Sequence, residues 1–165
     1  MPTLTFLDKN YHLGSFNRTN NPTREFVPQG EDVKDWTTPL TVIDRPDART
    51  KEDFDRLAQG VLNNYKSHGG QILMARTLTD GAGAAFNYMV AAFEQPDRQR
   101  YELNFVRDML GPENGAILVY GVHIGDPPDY RAKAKDFLDH NTGEVGHALG
   151  QLALPDLGRL PRRVF

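Results

Sequence analysis

Ala85-Phe86-Asn87-Tyr88-Met89-Val90-Ala91-Ala92-Phe93, followed by the turn Glu94-Gln95-Pro96-Asp97, is the stretch that decides the fold. Downstream, Arg98 to Arg107 alternates, with Tyr101, Leu103 and Phe105 on one side and Glu102, Asn104 and Arg107 among the rest. A second turn, Gly111-Pro112-Glu113-Asn114-Gly115, leads into the apolar run Ala116 to His123. Period-two patterning between turns of this chemistry reads as consecutive antiparallel strands. A sheet is therefore the expected scaffold, and no catalytic signature lies within it.

Working outward, Thr50 with Asp53 three residues on predicts a helix start of the capping-box kind, with Glu52, Asp53 and Asp55 favoured by the macrodipole. Phe54, Leu57, Ala58, Val61, Leu62 and Tyr65 recur at helical spacing, and Gly69-Gly70 ends the helix. Gln71 to Leu78 reads as a strand entering the central hairpins. A second helix, over 129–149, follows Asp126-Pro127-Pro128-Asp129; Tyr130, Ala134, Phe137, Leu138, Asn141, Val145, Ala148 and Leu149 share a broad face. Gly143, Gly146 and Gly150 are placed opposite that face, each costing about 1 kcal/mol of helix stability, so a break near His140 is expected. Upstream, 1–24 reads as an irregular opening segment holding a short strand around Tyr11–Phe16. Strands are expected at Thr23–Val27 and Pro39–Asp44, with one helical turn over Glu31–Trp36 between them. Residues 154–165 read as an irregular tail. The sum is one α+β domain over 1–165: a mainly antiparallel sheet of six or more strands covered by helices. Leu57, Val61, Leu62, Phe105, Val119, Phe137 and Leu138 are expected in the core, and Trp36 is expected to close one sheet end.

Composition is that of an ordinary soluble globular chain, 39% hydrophobic and 25% charged. Nineteen basic against 22 acidic residues leave a net charge of −3, with no basic stripe to suggest nucleic acid. There is no cysteine, which removes disulfides, thiolate nucleophiles and Cys-based zinc sites. No apolar run approaches the roughly 20 residues of a membrane span, and Met1-Pro2-Thr3-Leu4 does not open a signal peptide. The chain as written reads as cytoplasmic, or as periplasmic if a leader was removed.

The element order, with Phe26-Val27-Pro28-x-Gly30-Glu31-x-Val33-x-x-Trp36-Thr37, resembles the Mog1/PsbP-like superfamily of α/β/α sandwiches. That group includes DcrB-type bacterial proteins, and the chain is similar to bacterial proteins with a P-x-G-E-x-V-x-x-W-T opening. The resemblance covers roughly residues 24–140 as topology and only the Trp36 segment as motif. It implies a sandwich fold and a binding or assembly role of the Ran-binding, photosystem or secretion-chaperone kind. It carries no catalytic residues with it and makes an enzyme the less expected outcome.

The sharpest chemical constellation is His140, Glu144 and His147, whose spacings of four and three place them on one helix face. Imidazole plus carboxylate suits a divalent metal such as zinc, iron or manganese; the competing reading is a solvated helix edge. Gly81-Ala82-Gly83-Ala84 follows a strand but lacks the next helix and third glycine of a dinucleotide fingerprint, so it reads as a turn between strands. Ser15 and Ser67 lie in no nucleophile elbow. Asp44, Asp47, Asp126 and Asp129 sit beside prolines and read as turn and cap residues. His123 with Asp126 marks the end of a strand, a possible site or a simple hydrogen bond. Arg159, Arg162 and Arg163 form a basic tail beside Leu160, Val164 and Phe165, either docked against the domain or binding a partner.

The expected function is thus a non-enzymatic binding or assembly protein with a protein partner and no cofactor, using a groove between the sheet and a helix or loop. Trp36, Tyr88, Tyr101 and Tyr120 are the expected binding aromatics, the tyrosines beside the Asn17–Asn21, Pro28–Glu31 and Gly81–Gly83 loops. The alternative for those tyrosines is that they pack beneath the helices. The alternative function is a metal-binding protein or metal-dependent enzyme using His140, Glu144 and His147.

Overall fold

The computed structural model describes residues 3–18, 20–30, 38–95, 100–110, 115–125 and 130–152. Four strands come first: β1 (Thr3–Phe6), β2 (Lys9–Asn17), β3 (Thr23–Pro28) and β4 (Leu40–Arg45). Helix α1 (Lys51–Ser67) leads to β5 (Gln71–Thr79), β6 (Ala85–Gln95), β7 (Arg100–Leu110) and β8 (Gly115–Gly125), and helix α2 (Tyr130–Gln151) follows. All eight strands form one antiparallel sheet in the order β1-β2-β3-β4-β8-β7-β6-β5. The chain is an α+β sandwich, as its alternation predicts. The decisive stretch forms the three longest strands, β6 to β8, in unbroken register from Asn87↔Asp108 to Gln95↔Arg100 and from Arg100↔Gly125 to Leu110↔Gly115.

Alternation along β6 sorts the core into two layers. Phe86, Tyr88, Val90 and Ala92 join the larger cluster beneath α2, while Met89 and Ala91 join the smaller one beneath α1. Leu57 and Phe105 are buried as expected; Val61, Leu62, Val119, Phe137 and Leu138 are half-buried and pack against the two clusters. The sheet rolls toward α2. A flat sheet would hold β1 and β8, four strands apart, about 19 Å from each other. Yet the Phe6 and Tyr120 rings lie 5.1 Å apart. A bulge in β2 between Leu13 and Ser15, at Gly14, supplies part of that bend.

Three expectations are corrected. Thr3–Phe6 is not irregular: its exposed-buried alternation makes it a strand, joined to β2 by a two-residue turn. Leu7 and Asp8 take φ of 49° and 60° there, the positive values of a type I′ hairpin. α2 does not break at His140. Asn141 Nδ2 donates to the Phe137 carbonyl at 2.9 Å and Thr142 Oγ1 to the Leu138 carbonyl at 2.6 Å, so both side chains bond back within the helix. Val145 and Leu149 beyond them are buried, and at about 2 kcal/mol each they outweigh the glycine cost. Gly146 and Gly150 do not oppose the apolar face but lie on it. A Cβ on Gly146 would meet the Tyr88 ring at 2.9 Å, and one on Gly150 the Phe86 ring at 3.1 Å. The helical turn expected over Glu31–Trp36 and the tail over 154–165 lie outside the described residues.

α1 begins as its sequence predicts. Thr50 Oγ1 accepts from the Asp53 backbone N–H at 3.1 Å, and the Asp53 carboxylate accepts from the Thr50 N–H at 3.2 Å. Gly69 at φ +79° closes it.

Candidate functional site: a groove beside the free sheet edge

β5 is one end of the sheet, so one side of its backbone is unpaired by any described strand. Its pairing with β6 carries a bulge: Ile72 faces Ala91 but Met74 faces Val90, leaving Leu73 as the extra residue. The slip turns side chains of like parity to opposite faces. Ile72 packs beneath α1, whereas Met74 and Leu78 pack on the α2 side. Leu73, thrown outward at 37% exposure, is the exposed large hydrophobic residue among those described.

Between β5 and α2 runs a groove of about 510 Å³, within the range of ligand clefts. Its floor is Phe86, Tyr88 and Gly146; Met74 and Leu78 form one wall, with Arg76 and His147 also lining it. Gly146 and Gly150, four apart, let the helix settle onto the two rings. The Tyr88 hydroxyl donates to the Thr142 carbonyl at 2.9 Å, which ties the floor to the helix, and burial pushes this phenol above its ordinary range. At the far end, Arg107 clamps α2. Its Nη1 donates to the carbonyls of Leu149 at 2.5 Å and Leu152 at 2.8 Å, its guanidinium stacks 4.5 Å over Phe86, and Asp80 lies 3.7 Å away. A cation at a helix C-terminus satisfies orphan carbonyls and complements the macrodipole. Asp80 also accepts from the N–H groups of Ala82 and Ala84, so Gly81–Gly83 is the β5–β6 hairpin loop.

A second, smaller cavity of about 350 Å³ opens on the other side of β5, beneath α1. Thr77, Asn87 and Asp108 stand there in one cross-strand row, facing Asp55 and Gln59. Asp108 is 5% exposed, and its Oδ1 has no hydrogen-bond partner among the described residues. Burial raises its pKa to about 7, against the weaker pull of Arg45, which Asp47 engages in a bidentate pair.

The sequence-predicted residues disperse. Of the aromatics, Tyr88 lines the α2 groove. Tyr120 is buried in the rolled core beside Phe6 and Phe105, and Tyr101 is half-buried against the same cluster. Trp36 lies outside the described residues. His140, Glu144 and His147 are all exposed on α2; His140 Nδ1 sits 2.8 Å from the Asp136 carbonyl oxygen and 3.3 Å from its carboxylate. That partnership raises the His140 pKa. Among the described residues, no three His, Asp or Glu side chains converge as metal ligands. His123 lies 3.5 Å from Glu102 across the β7–β8 ladder, and Asp126 lies outside the described residues. Sequence reasoning missed Met74, Arg76, Leu78 and Phe86 as groove residues. The signal available for them was the Gly146-x-x-x-Gly150 spacing, which marks a helix face made for large rings. No protein-family model matches the chain, and no curated protein shows significant similarity to it. No described helix is long and apolar enough to cross a membrane.

Proposed function

We propose that this protein is a non-enzymatic binding or assembly protein that holds an extended segment of a partner protein along β5. The observation that carries this reading is the coincidence of an unpaired strand edge with an apolar groove on its flank. Backbone groups of the edge give an incoming strand its hydrogen bonds, and the groove takes its alternate side chains. A cavity of about 510 Å³ lies beside each sheet edge, but β1 has four residues while β5 has nine. Natural edges are usually blunted by shortness, bulges or lysines, so the regular portion Met74–Thr79 stands out. The resemblance to the Mog1/PsbP-like superfamily, with its binding and assembly roles, supports the same class of function. The metal reading gains no support from His140, Glu144 and His147, which are exposed on α2 and, among the described residues, do not converge as metal ligands.

The chain has no cysteine, so a single introduced thiol carries one photo-crosslinker. Attached at Thr77→Cys, it captures a discrete partner in the native host; attached at Thr5→Cys on the opposite edge, it does not. The same adducts from both positions, or none from Thr77→Cys, would sink the proposal.

A further inference from the structure

Met74, Arg76 and Leu78 are alternate residues after the bulge, and all three line the α2 groove. Small residues, Ala75 and Thr77, alternate with them on the α1 side. A strand added to this edge sets one of its own side chains opposite each member of the triplet, on the same face. Opposite Met74 and Leu78 it meets thioether, isobutyl and the rings of Phe86 and Tyr88, an environment for apolar side chains. Opposite the central position it meets a guanidinium. Arg76 is exposed, has no ion-pair partner among the described residues and also borders the α1-side cavity that Asp55 and Asp108 line; the imidazole of His147 lines the groove with it, and no carboxylate does. Cross-strand pairs of opposite charge stabilise a ladder and like charges destabilise it.

Resting on the reading that β5 receives a strand, we infer that it selects a partner segment of the pattern apolar-x-acidic-x-apolar. The acidic side chain lies against Arg76, and the two apolar side chains fill the groove on either side of it. Charge complementarity fixes the register here, because a slip of two residues brings an apolar side chain onto the guanidinium and strands the carboxylate on the aromatic floor.

The test uses the full chain and a fluorescein-labelled peptide, Thr-Ile-Thr-Glu-Thr-Ile-Thr, read by anisotropy, beside the same peptide with lysine in the central place. The protein binds the glutamate peptide about tenfold more tightly than the lysine peptide, and Arg76→Glu, an exposed change, inverts the preference. Peptide binding also protects the β5 amides from hydrogen exchange. Equal affinity for both peptides, unchanged in Arg76→Glu, overturns the acidic preference while leaving strand capture standing. Binding of neither peptide, or binding only of dodecanoate as a bare anionic amphiphile, overturns both.

Discussion

Arg107 and Asp108 are neighbours in β7, point to opposite faces of the sheet, and are equally buried at 4% and 5% exposure. Their fates differ. Arg107 meets two carbonyls at the end of α2, the Phe86 ring and Asp80, so its charge has partners on the spot, with only Nε left without one among the described residues. Asp108 meets a cavity that Arg76 also lines, the neutral Thr77–Asn87 row and an arginine already engaged by Asp47. A buried charge persists where donors or acceptors converge on it; where they do not, the group gives up its charge. The α2 side is thus locked by its buried ion, and the α1 side carries one it would shed.

The largest expected effect breaks that symmetry by pH. The folded state holds the Asp108 proton up to about pH 7, while the unfolded chain releases it near 3.8. Between those values unfolding releases a proton, so the Asp108 contribution to stability is greatest below pH 4, falls as pH rises, and levels off above 7. The fall is on the order of 4 kcal/mol in total. Asp108→Asn removes that slope and is more stable than the parent at pH 8. Urea titrations across pH 4 to 8 check it; parallel curves for the two proteins would show that Asp108 is solvated or paired.

Next in size, Arg107→Ala leaves the α2 end carbonyls and Asp80 without their cation and costs about 3 kcal/mol at pH 7. Hydrogen exchange localises the loss to the last turn of α2. A change below about 0.5 kcal/mol would mean that water replaces the guanidinium, and the contrast with Asp108 would disappear.

The smallest pair sharpens the picture of the groove. Gly146→Ala drives a methyl to 2.9 Å from Tyr88 and lowers stability by about 1 kcal/mol despite the better helix former. Gly143→Ala, with nothing within 4 Å, raises it by about 0.5 to 1 kcal/mol. Thermal unfolding of both separates packing from propensity: gains in both would show that α2 can lift away from Tyr88.

Much of the architecture was legible in local chemistry. Alternation in 85–93 and 101–105 gave β6 and β7, and the Thr50–Asp53 box and Gly69 bounded α1, because backbone periodicity and caps are short-range effects. β1 is not legible, because four residues of alternation, Thr3 to Phe6, are too few to stand out from a polar opening. The glycines of α2 mislead, since propensity counts only the helix and not the rings beneath it. Of the site, the sequence marks only Tyr88 and His147, each for a different purpose, and no sequence spacing joins them. What this chain's sequence determined by itself is the strands from β2 to β8, the bounds of α1, the absence of thiol chemistry and the modest negative charge. Only the tertiary structure decided that Leu73 forms a bulge, that this slip turns Met74, Arg76 and Leu78 toward α2, and that Arg107 and Asp108 part company. Those outcomes depend on which strand lies beside which and on which helix covers each face, interactions between residues far apart in sequence that no local pattern encodes.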